Sequence, residues 1–120
     1  MHIQVLVYCS AIALTLKPLK FLGTSLDDLR AMPTTTQYAI GVELMVIQLG
    51  DEPSDFKPMG MVGAGVYEIR VADAAGAFRV MYVAKFAKAV YVLHAFQKKT
   101  QKTAKTDLDL AAKRYKQIGA

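Results

Sequence analysis

The residues best suited to chemistry lie between Glu68 and Lys98. In Val66–Ala72 the side chains alternate, which puts Tyr67, Ile69 and Val71 on one face of a strand and Glu68 and Arg70 on the other. If Asp73-Ala74-Ala75-Gly76 is the hairpin loop, Ala72 pairs with Ala77 and Arg70 falls opposite Arg79. Like charges opposed across a ladder destabilise a sheet, so a bridging anion such as phosphate would relieve the pair. If the next hairpin turns at Ala87-Lys88, Arg79 faces Phe96, Met81 faces His94, and Lys98 continues the alternation. One surface then bears Glu68, Arg70, Arg79, His94, Phe96 and Lys98: cations for phosphate, titratable groups for proton transfer and a ring for base stacking. That set suits RNA cleavage. Each member also has a plainer role, since Glu68 can pair with Arg70 or Arg79, and a lone strand histidine is commonly a core residue with its hydrogen bonds satisfied.

Three strand-like runs, Val66–Ala72, Phe78–Phe86 and Ala89–Gln97, carry these residues and predict an antiparallel meander. Ahead of them, Ser25-Leu26-Asp27-Asp28 reads as a helix start with Ser25 as N-cap, and Pro33 stops that helix. From Thr36 to Leu49, Ile40, Leu44 and Ile47 follow helical spacing and Gly50 ends the element. Val42, Met45, Val46 and Leu49 widen its apolar surface, which predicts a helix sandwiched in the core, with a partner-binding face as the alternative. Residues 51–65, with two prolines and three glycines, read as a loop. Thr106-Asp107-Leu108-Asp109 resembles an acidic capping box, followed by Leu108, Ala111, Tyr115 and Ile118 on one face of a helix that should cover the sheet.

The chain's 120 residues suit one domain. Its 53% hydrophobic and 21% charged residues exclude intrinsic disorder. The net charge of +5 is unevenly placed, with 4 Lys/Arg against 6 Asp/Glu in residues 1–60 and 11 against 4 in residues 61–120. The second half should attract polyanions. Lys98-Lys99-Thr100-Gln101-Lys102-Thr103 extends that cationic character past the histidine strand. A single cysteine, Cys9, excludes an internal disulfide and a multi-cysteine metal site, and fits a reducing, cytoplasmic setting. The apolar run Ile3–Leu16 is too short to span a bilayer and has no basic residue preceding it, so neither a membrane span nor a signal peptide is expected. The chain therefore divides into an atypical apolar segment, 1–16, and a domain, 17–120.

The stretches Lys57-Pro58-Met59, Gly65-Val66-Tyr67-Glu68-Ile69-Arg70, Phe78-Arg79-Val80-Met81-Tyr82 and Val90–Thr100 together resemble the phage-derived HigB-like toxins of the RelE/ParE superfamily. The resemblance runs from about Lys17 to the end and includes Gly23–Arg30 and Pro53–Met59. It implies an α+β fold, with N-terminal helices packed on an antiparallel sheet and a C-terminal helix. It also implies toxicity by messenger RNA cleavage, on the ribosome in many members, and neutralisation by a helix-turn-helix antitoxin. The family's basic sheet residues map to Arg70 and Arg79, with Lys57 before them and Lys98 and Lys99 after the last strand.

The expected mechanism is in-line attack of a ribose 2′-hydroxyl on its own phosphate. Arg70 and Arg79 would stabilise the developing charge and Glu68 or His94 would move protons, with no metal or other cofactor. Lys57, Phe96, Lys98, Lys99 and Lys102 would bind the RNA. Two alternatives use the same scaffold: a non-enzymatic ParE-like topoisomerase poison, and a degenerate domain that only binds RNA or an antitoxin. Thr36–Leu49 is more apolar than the charged helix the family implies at that place.

Overall fold

The computed structural model describes residues 16–119. Cys9 and residues 1–15 of the expected apolar segment lie outside them. The elements run β1 (Leu19–Phe21), α1 (Ser25–Arg30), α2 (Thr34–Gln48), β2 (Phe56–Pro58), β3 (Val66–Asp73), β4 (Gly76–Val83), β5 (Val90–Lys98) and α3 (Lys105–Lys116). The strands form one sheet in the order β1-β5-β4-β3-β2. The expected α+β architecture is present, and the central meander β3-β4-β5 is antiparallel. The edge strand β1 departs from it by pairing parallel to β5.

Alternation along the strands gives the sheet two apolar faces. Ile69, Val80, Val90 and Val92 meet Ile40, Leu44 and Ile47 of α2, while Met81, Val83 and Leu93 meet Ala111 and the partly buried Leu108 and Tyr115 of α3, with Ile118 just beyond its end. Both helical faces expected from periodicity are therefore the ones that pack. The outer side of α2 is not core, contrary to expectation: Val42, Met45 and Leu49 are exposed together with Tyr38. A helix lying on one face of a single sheet can bury only one stripe, and among the described residues nothing covers the other.

Several boundaries move for local reasons. Thr24, not Ser25, precedes the first turn of α1, its hydroxyl donating to the Asp28 carboxylate at 2.8 Å. Ser25 is instead buried, with its hydroxyl on the Val92 carbonyl. Pro33 stands between the two helices with the fixed φ that suits entry into α2, and Gly50 at φ +92 lets the chain leave it. The span 51–65 is not all loop, because Phe56–Pro58 pairs with β3, Lys57 opposite Glu68. Pro58 is tolerated there because β2 is an edge strand. At α3, Ala104 precedes the helix and no side chain caps it, so the capping box does not form; Asp107 is drawn to His94.

The expected register is present where it matters: Arg70 lies opposite Arg79, Arg79 opposite Phe96 and Met81 opposite His94. The route to it differs. β4 ends at Val83 rather than Phe86, so the tight turn at Ala87-Lys88 is absent, and a bulge shifts the pairing to Tyr82 opposite Val92. The bulge leaves Leu93 as the extra residue, and its carbonyl accepts from the buried Arg114 guanidinium of α3 at 3.0 Å. Arg114 also donates to the Thr24 hydroxyl, tying α3 to the start of α1. A Cβ at Gly23 would stand 2.4 Å from Arg114 Nε, and Gly23 has φ +55, so glycine is required twice over.

Candidate nucleic-acid cleavage site

A cleft of about 280 Å³ opens where β2 and β3 meet the segment between β5 and α3. Each strand contributes through its register. Lys57 lies directly across from Glu68 on the neighbouring strand, and Arg70 follows two residues on, on the same face. Lys98 enters from the end of β5, and Gln101, Lys102 and Thr103 follow it around the rim. Met59, Met61 and Leu108 complete the lining. Four cations therefore surround one carboxyl group.

That carboxyl is buried. Glu68 is 3% exposed, and among the described residues its Oε2 has no hydrogen-bond partner. Burial pushes the Glu68 carboxyl above the ordinary carboxylate range, and Arg79, Lys98, Arg70 and Lys57 only partly offset it. Arg79 lies beneath, also buried, with Nε 3.5 Å from Glu68 Oε1 and Nη1 donating to the Phe78 carbonyl at 3.0 Å. The contact with Glu68 is too poorly formed to count as a hydrogen bond. The two arginines thus divide: Arg70 is exposed in the cleft, and Arg79 is buried against Glu68. This separation also eases the like-charge opposition.

Of the nine residues singled out from sequence, Glu68, Arg70, Lys57, Lys98 and Lys102 come together in the cleft, and Arg79 supports it from below. His94 and Phe96 do not line it. The His94 Nε2 lies 2.7 Å from Asp107 Oδ1, and its ring stacks on Phe96 at 4.7 Å between centroids. Both instead line a separate groove beside the α1–α2 junction, with Asp28 and Met32. Lys99 is exposed and outside both. The cleft residues not anticipated are Met59, Met61, Gln101, Thr103 and Leu108. Among the described residues no group of three or more His, Cys, Asp or Glu side chains is placed to hold a metal ion, and no helix is long and apolar enough to cross a membrane.

Residues 27–116 match the family described as phage-derived protein Gp49-like (DUF891). The chain belongs to that family. No curated protein matches it. Among solved structures, this Gp49-like chain is similar to an arginine-to-alanine double mutant of the Escherichia coli toxin RelE in the free state, with a TM-score of 0.60 and 16% identity, over 86% of this chain and 98% of that one. The fold is therefore that of RelE, in agreement with the architecture and the phage-derived character expected from the sequence. At that identity the match speaks for the fold alone.

Proposed function

We propose that this Gp49-like protein is the toxin of a type II toxin–antitoxin pair, a HigB-like messenger RNA endoribonuclease acting in the cytoplasm and neutralised by a helix-turn-helix antitoxin. The observation that carries the proposal is the buried Glu68 carboxyl, raised toward neutrality and ringed by Lys57, Arg70, Lys98 and Lys102. A group whose protonation midpoint moves toward the working pH is better suited to proton transfer, and fixed cations around it suit a phosphodiester whose charge grows in the transition state.

In the proposed reaction the 2′-oxygen of the substrate ribose attacks its own phosphorus. Its proton passes to Glu68, the phosphorus–5′-oxygen bond breaks, and the departing oxygen takes a proton from a lining ammonium group or from water. The products are a 2′,3′-cyclic phosphate and a 5′-hydroxyl. Arg70, Lys57, Lys98 and Lys102 hold the phosphate and its neighbours, and Arg79 keeps Glu68 in place. His94 is assigned to seating α3 through Asp107 rather than to proton transfer, because it lies outside the cleft. Lys99 and Phe96 are left with at most peripheral contact.

Expression of the protein without an antitoxin tests the proposal. Growth should stop and transcripts should shorten within minutes, with cut ends carrying cyclic phosphate. Intact transcripts together with blocked DNA supercoiling would point to a topoisomerase poison, and RNA binding without cleavage to a degenerate binding domain.

A further inference from the structure

Phosphate recognition leaves one wall of the cleft unexplained. Met59, Met61 and Leu108 offer nothing to an anion, yet they line the same space as the four cations. Met61 is 74% exposed and lines the cleft beside the buried Met59. The loop is anchored on both sides of it. Met59 and Val62 are buried, the Met59 amide donates to the Val66 carbonyl at 2.8 Å, and the Val62 amide donates to the Met59 carbonyl at 2.9 Å. From behind, the Tyr115 hydroxyl of α3 donates to the Ala64 carbonyl at 2.8 Å, and a Cβ on Gly63 would collide with the Tyr115 ring at 2.7 Å. Met61 is therefore held out into solvent at the cleft by its neighbours.

Resting on the proposal that the cleft binds RNA, we infer that this wall is a nucleobase subsite: the base of a single-stranded nucleotide stacks on Met61 beside Met59 and Leu108, while the cations hold its phosphates. A thioether is polarisable and makes favourable contact with an aromatic ring, and every base offers a π-face, so a methionine wall takes an unstacked base with little regard to its identity. Gln101 and Thr103 line the same cleft and bring groups that can both donate to and accept from a base edge. Only an unpaired base can be placed this way, because in a duplex its faces are covered by neighbours. The subsite thus selects single strands.

The test is fluorescence anisotropy with two labelled oligoribonucleotides of equal length, one bearing bases and one abasic, each carrying 2′-O-methyl groups at every position to block cleavage. The wild-type protein should bind the base-bearing strand about fivefold or more tightly than the abasic one. Met61→Ala, a change at an exposed position that leaves the anchors Met59 and Val62 in place, should remove most of that preference and leave abasic binding unchanged. Met61→Leu, which restores apolar surface without sulfur, should recover part of it. Equal binding of both strands by the wild type, or an equal loss on both strands in Met61→Ala, would overturn the subsite while leaving phosphate binding intact. Binding of neither strand by a folded wild-type protein would overturn the RNA proposal itself.

Discussion

Replacing Arg79 with alanine should destabilise the protein by an amount that depends on pH in a defined way. The change removes a buried guanidinium whose Nε lies 3.5 Å from Glu68 Oε1 and whose Nη1 donates to the Phe78 carbonyl. At that separation and an effective dielectric near 20, the gross attraction is about 5 kcal/mol, opposed by the desolvation of both ions. The loss has a ceiling because Glu68 can take up a proton instead of staying charged without a partner. Its ordinary value is 4.5. Holding such a group protonated at about pH 7 costs roughly 2.5 units at 1.36 kcal/mol each, or about 3.4 kcal/mol, and the electrostatic part of the loss cannot exceed that. Burial already holds the folded-state value above 4.5, and Arg79 is the strongest influence opposing it, so deleting Arg79 raises it further. Between 4.5 and the folded-state value the native protein carries a proton that the unfolded chain has lost. Stability therefore falls as pH rises through that window and levels off above it. The variant should lose about 2–4 kcal/mol near pH 7 and only about 1 kcal/mol, from the Phe78 hydrogen bond, near pH 4. Denaturant unfolding at both pH values and at an intermediate one checks this. An equal loss at all three would refute the electrostatic account and assign Arg79 to packing alone.

Lys98→Ala should flatten the dependence of RNA binding on salt by about 0.7 in the logarithmic slope, the value for one lost phosphate contact on a single strand, while Lys99→Ala should leave the slope nearly unchanged. Anisotropy titrations across salt concentrations distinguish the two. His94→Ala should cost about 1–3 kcal/mol by releasing Asp107 and the Phe96 stack, yet keep cleavage per folded molecule within a few-fold of wild type. A folded but inactive His94→Ala protein would return the histidine to the reaction. Gly63→Ala should cost about 1–3 kcal/mol, since its Cβ meets the Tyr115 ring, with thermal melting as the measure.

Strand alternation and the short Asp73–Gly76 connection were enough to place Arg70 against Arg79, because a period of two leaves little freedom once one hairpin is set. The pairing of Met81 with His94 was legible for a different reason than its outcome. An absent tight turn and an unforeseen bulge at Leu93 compensate each other, and a leucine at the extra position gives no sign of a bulge. What sequence could not convey was depth. Alternation puts His94 on the same side of the sheet as Glu68, but α3 descends on β5 and Asp107 takes the imidazole, a contact between residues that only tertiary packing brings together. Likewise β2 is three residues long and holds a proline, so its pairing of Lys57 with Glu68 was hidden inside a stretch that reads as loop. The methionine wall was invisible for the same reason, since apolar residues between glycines have no periodicity to reveal which way they point. The exposed stripe of α2 shows the converse limit: apolar composition identified a surface, and only the count of layers left it uncovered among the described residues.

Cleavage of a defined messenger by wild-type protein and by Glu68→Gln, with and without ribosomes, is the most direct test of the central claim. Glutamine keeps the shape and an acceptor for Arg79 but cannot accept the 2′-hydroxyl proton. The substitution should lower cleavage by about 10²–10⁴-fold while RNA binding is retained and melting temperature is unchanged or higher, because a buried charge has been removed. Wild-type activity should also rise as pH increases through the raised Glu68 midpoint and then level off. A folded Glu68→Gln protein that cuts messenger at the wild-type rate would contradict the assignment of this cleft as the catalytic site.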